Sequence, residues 1–86
     1  MTPTEINKRI AELKGIEWNP EYSGDYWAEN IGLAWELFEE LPYSSSIWKR
    51  QDGWYEVNGG DEAYNGFAKT ATRAICLAWI NWIENL

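Results

Sequence analysis

Thr70-Ala71-Thr72-Arg73-Ala74-Ile75-Cys76-Leu77-Ala78-Trp79-Ile80-Asn81-Trp82-Ile83-Glu84-Asn85-Leu86 is the stretch whose spacing decides the fold. Ile75, Ala78, Trp79, Trp82, Ile83 and Leu86 recur at three and four residues, which puts them on one face of an α-helix. Thr70 or Thr72 supplies the cap, a hydroxyl that accepts from a free N–H of the first turn. Leu77 and Ile80 fall off that face, so the apolar arc is wider than a surface helix requires. The spacing predicts a helix packed on a sheet, with a second neighbour against its flank.

Working back from that helix, Ala63-Tyr64-Asn65-Gly66-Phe67-Ala68 reads as a strand in which Gly66 marks a bulge or a close contact. Asn58-Gly59-Gly60-Asp61-Glu62 precedes it as a turn or short loop. Before that, Ile47-Trp48-Lys49-Arg50-Gln51 and Trp54-Tyr55-Glu56-Val57 flank Asp52-Gly53, the strongest hairpin signal in the chain. A two-residue type I′ turn there pairs Gln51 with Trp54, Arg50 with Tyr55, Lys49 with Glu56, and Trp48 with Val57. Opposite charges and apolar groups then meet across the strands. Ser44-Ser45-Ser46 is a short linker.

Further upstream, Trp27, Ile31, Ala34, Trp35, Phe38 and Leu41 share one face of a second helix, which Pro42 stops. Ser23 or Asp25 caps an early start, Asn30 a later one. Glu36, Glu39 and Glu40 occupy the opposite face. Asn19 to Tyr26 reads as a loop, and Ile16-Glu17-Trp18 as a short edge strand. At the N-terminus, Thr2-Pro3-Thr4-Glu5 is a capping box with proline in the first helical position. Ile6, Ile10 and Leu13 continue that helix from Pro3 to Lys14, and Gly15 ends it. Lys8, Arg9 and Lys14 lie off the stripe and are expected in solvent.

The expected fold is α+β: a single domain over residues 1–86, with a three-stranded antiparallel meander packed by three helices in the order α-α-β-β-β-α. At this point several segments resemble a known family. Thr70 to Ala78 resembles the closing helix of the small phage and prophage ABA-sandwich domain proteins. Asn30-Ile31-Gly32-Leu33-Ala34-Trp35-Glu36 resembles the start of that family's middle helix, Ile6 to Gly15 its first helix, and Trp54-Tyr55 its aromatic hairpin. The resemblance implies an α/β/α layered sandwich of bacteriophage or prophage origin. It carries no established activity and no catalytic residue.

Charge narrows the function classes. The net charge is −7, from 14 acidic and 7 basic residues, with no histidine. Such a surface repels phosphate backbones and anionic membranes, so duplex nucleic acid and membranes are not expected partners. No stretch approaches the ~20 apolar residues of a membrane span. The start of the chain has no signal-peptide pattern, and Cys76 has no internal disulfide partner, so the expected location is the cytoplasm, here of a host cell. Without histidine the commonest general base is missing. No phosphate loop, zinc spacing or nucleophile motif is present. The protein is expected not to be an enzyme and to need no cofactor or metal. Cys76 reads as core. Asp61-Glu62 and Glu39-Glu40 read as solvated acids rather than carboxylate pairs at work.

Seven tryptophans stand out. Most rings of this kind fill a core, but some can form a platform for a planar ligand. Trp48, Lys49, Arg50, Trp54 and Tyr55 concentrate rings and cations on one hairpin, with Arg50 and Tyr55 expected to stack. Lys69 and Arg73 add charge near the last helix. A nucleotide needs such groups: a ring for the base, and cations or helix N–H groups for phosphate. The competing reading is that these rings pack under helices while the cations offset nearby acids. Two binding functions follow. One is a phage counter-defence trap that sequesters a small anionic nucleotide signal. The other is an acidic inhibitor or nucleic-acid mimic that blocks a basic host protein, led by Glu36, Glu39, Glu40, Asp61 and Glu62. The wide arc of the last helix leaves room for a homo-oligomeric interface.

Overall fold

Thr2 accepts from Glu5 N while Glu5 accepts from Thr2 N, closing the capping box that starts α1, Pro3–Lys14. The Glu5 carboxyl is held below its ordinary range by the hydrogen bond it accepts from the Thr2 backbone N–H and, second, by the Thr2 hydroxyl. Gly15 ends the helix in the left-handed region at φ 71°. The computed structural model describes residues 1–17, 26–60 and 64–86. The later of the two starts holds for α2, Ile31–Glu40: the Asn30 side chain caps it by accepting from Leu33 N. Then come β1 (Ser46–Lys49), β2 (Tyr55–Gly59), β3 (Tyr64–Ala68) and α3 (Ala71–Glu84), capped by Thr70 rather than Thr72. Ile16 and Glu17 form no strand. Trp18, Ser23, Asp25, Asp61 and Glu62, and most of the expected loop, lie outside the described residues.

Class and order are those expected: α+β, three helices with a three-stranded antiparallel sheet ordered β1-β2-β3. Within that class α3, rather than the sheet, is the central layer. It packs against all three strands and both other helices, while α1 and α2 rest on α3 and not on the strands. This explains its wide apolar arc. Ala74, Ile75, Cys76, Ala78, Trp79 and Ile80 are all buried, with Trp82 and Ile83 half-buried. Leu86, placed on the buried face by its spacing, is instead exposed beyond the helix end. Gly66 is a close contact, not a bulge: a Cβ there would collide with the Ala74 carbonyl and the Ala78 amide of α3.

Two expectations need correcting. The hairpin register is shifted by one residue, with Ile47 opposite Val57, Trp48 opposite Glu56, and Lys49 opposite Tyr55. A type I′ turn needs positive φ at both central residues, and here only Gly53 has it, at φ 88°. The chain instead makes a three-residue loop, closed by Gly53 N to Arg50 O and Arg50 N to Trp54 O. Burial decides the register. It turns Val57 toward α3 beside Ile47, where a hydrophobic core outweighs one surface charge pair. On α2, the buried residues are Ala34 and Leu37, followed by Leu41 at the C-cap. Ile31 and Trp35 are exposed, so the helix is rotated relative to the face its spacing suggests.

Candidate functional site

Strand alternation separates the hairpin's cations and rings between two faces. Ile47, Lys49, Tyr55, Val57, Gly66 and Ala68 share the face toward α3, while Trp48, Glu56 and Phe67 share the opposite one. The expected Arg50–Tyr55 stack is therefore absent. Lys49 Nζ lies over the Tyr55 ring instead, 5.8 Å from its centroid. Trp48 stands exposed in a row with Glu56 and Phe67, and it joins neither cation.

The remaining residues do come together, around a ring that the sequence reading left out. Arg50 Cζ lies 4.6 Å from the Phe67 ring, and Phe67 stacks on Trp54 with centroids 4.8 Å apart and planes at 16°. Lys69 Nζ lies 5.5 Å from the Trp54 ring. Cation, ring, ring and cation thus form a continuous ladder across the sheet's exposed face. Phe67 was hidden in a weak strand. Its signal was the parity of Tyr64, Gly66 and Ala68, whose small inward residues leave Asn65 and Phe67 facing out.

Beside the ladder lies a cleft of about 290 Å³, bounded by Trp54, Phe67, Lys69 and Arg73 and floored by Ile6 and Leu77. Met1 also lines it. Lys69 and Arg73 bracket the first turn of α3, where the helix dipole adds partial positive charge. Arg50 is paired with Asp52 at 3.1 Å, whereas Lys69 and Arg73 have no acidic partner among the described residues. Arg73 Nε is buried and has no hydrogen-bond acceptor among the described residues. A buried donor of this kind gains when an acceptor reaches it. The arrangement can hold a flat ring on Trp54 or Phe67 and an anionic group near Lys69 and Arg73.

Cys76 is buried, and burial pushes its thiol up to about 12, so it is protonated at neutral pH. Among the described residues, no group of three or more His, Cys, Asp or Glu could hold a metal ion. No helix among them is long and apolar enough to cross a membrane.

Known proteins add little to this geometry. No family model and no solved structure matches the chain. It is similar over 33 residues to "Probable E3 ubiquitin-protein ligase HERC4" of Homo sapiens and of Rattus norvegicus, each 52% identical. The Mus musculus protein of the same name is 48% identical over 33 residues. The match covers 36% of this chain and only 3% of the length of each ligase, so the chain is similar to a small piece of them.

Proposed function

We propose that this protein is a non-enzymatic binding protein that sequesters a small planar anion, with a nucleotide as the ligand class. The observation that carries the reading is the Arg50–Phe67–Trp54–Lys69 ladder beside the cleft that Arg73 lines. Lys69 and Arg73, without an acidic partner among the described residues, are open to a phosphate or carboxylate. A base stacking on the exposed rings supplies the rest of the affinity. The resemblance to phage ABA-sandwich proteins suggests the setting, capture of a nucleotide immune signal in the host cytoplasm. The ladder's outer cation, Arg50, is already engaged by Asp52, so Lys69 and Arg73 are the principal anion contacts.

Thermal melts with cyclic dinucleotides, cyclic trinucleotides and ADP-ribose derivatives test this. At least one should raise the melting temperature, since ligand at a hundredfold excess over Kd stabilises the fold by about 2.7 kcal/mol. Lys69→Ala and Trp54→Ala should each remove most of that shift. The reading fails if no member of the panel moves the melt, and its non-enzymatic part fails if the bound member is turned over.

A further inference from the structure

Ile31, Trp35 and Phe38 recur at four and three residues along α2; Ile31 and Trp35 lie clear of the side where Ala34, Leu37 and Leu41 enter the core, and Phe38 packs half-buried at its edge. Ile31 is 54% exposed and Trp35 45% exposed. Trp35 stacks on Phe38 with centroids 4.8 Å apart and planes at 17°, a contact that favours this arrangement of the two rings. Preorganised rings lose little conformational freedom when a partner covers them. Glu39, one turn after Trp35, borders this ridge, with Glu36 and Glu40 farther round the helix; all three are exposed, and α2 contains no cation. Of these three glutamates only Glu40 has an ion pair among the described residues, with Lys14 at 3.2 Å.

We propose that this face of α2 docks into an apolar groove rimmed by lysine or arginine on a partner protein. Ile31, Trp35 and Phe38 have the spacing of a helix laid into a groove, where each fourth or third residue fills a pocket. Trp35 is the anchor, as large rings at the centre of such contacts carry most of the binding energy. Glu36 and Glu39, free of ion pairs among the described residues, select the basic rim and speed encounter. Charge also decides against the other occupants. A second copy would set acidic α2 faces against each other, and a nucleic acid would bring phosphates against the same glutamates. The surface shares no residue with the cleft, so it stands independently of ligand binding there.

The test uses a designed two-helix hairpin whose leucine-lined groove carries a lysine rim, and the same hairpin with a glutamate rim. The lysine-rimmed hairpin, dye-labelled and titrated with the full chain, should bind and should weaken as salt rises. Trp35→Ala should weaken binding about tenfold or more. Changing Glu36 and Glu39 to Gln should flatten the salt dependence, while Lys69→Ala should leave binding unchanged. Circular dichroism confirms that the surface variants keep their helices, and Ile31→Ser serves as the second anchor variant should Trp35→Ala not. Absence of binding, or equal binding by the glutamate-rimmed hairpin, would overturn the proposal. So would sedimentation showing that the chain dimerises through Trp35.

Discussion

At Gly66 the absence of a side chain sets the distance between sheet and helix. Its backbone lies against Ala74 and Ala78 of α3, and any Cβ would enter that backbone. Gly53 is glycine for a different reason: nothing lies within 4 Å of its Cβ position, but its φ is 88°. Gly66→Ala should therefore cost more than the typical overpacking range of about 1–3 kcal/mol, because backbone cannot rotate away as a side chain can. Gly53→Ala should cost only about 1–2 kcal/mol, the strain of a left-handed residue. Urea unfolding of both variants checks the order, and equal losses would mean that α3 can lift from the strand. Asn7 makes the same point about local environment. It is buried, and its Oδ1 accepts from Ala28 N at 2.8 Å, tying the turn before α2 onto α1.

The hairpin is the element whose geometry the composition of its turn left undecided. Asp-Gly suits a two-residue turn, yet it equally suits a three-residue loop in which only glycine is left-handed. In the observed form Asp52 accepts from Trp54 N at 3.0 Å, bracing the loop from within. This choice puts Arg50 on Phe67 and Lys49 on Tyr55, so the candidate site depends on it. Cross-strand Hα–Hα contacts in nuclear Overhauser spectra should join Lys49 with Tyr55 and Ile47 with Val57, the pairs that alternate with the hydrogen-bonded Arg50–Trp54 row. Contacts between Trp48 and Val57 would restore the type I′ register and dissolve the ladder.

For the whole molecule, Trp79 is the largest fully buried side chain, and it sits on the helix that every other element touches. Lys14 Nζ lies 5.3 Å from its ring while pairing with Glu40, and Arg9 reaches Glu84 at 2.7 Å. These solvent-screened pairs clip α1 to α2 and to α3 and contribute little beside the core. Trp79→Ala should cost about 3–5 kcal/mol, a large share of the stability of a chain this short. Trp79→Phe should cost less, because it also removes a buried indole N–H that has no acceptor among the described residues. Thermal melts separate the two, and an undiminished melt for Trp79→Ala would remove α3 from the centre of the fold.

The chain's own spacing was enough for whatever depends on neighbours in sequence. The capping box and Gly15 bound α1, and Asp52-Gly53 marks a hairpin, because each is settled within a few residues, whereas the choice of Asn30 and Thr70 among the candidate caps of α2 and α3 came from the structure. The width of the apolar arc on α3 likewise announced a helix with neighbours on more than one side. The facing of elements was not local. Which side of α2 enters the core, and which of two registers the hairpin takes, depend on how much apolar surface each option buries against α3. Both alternatives satisfy the local pattern, so only tertiary packing separates them. The site inherits that dependence. Lys69, Arg73 and Trp54 were legible as a cation-and-ring group, but Phe67 joins them only once the register turns it outward onto Trp54.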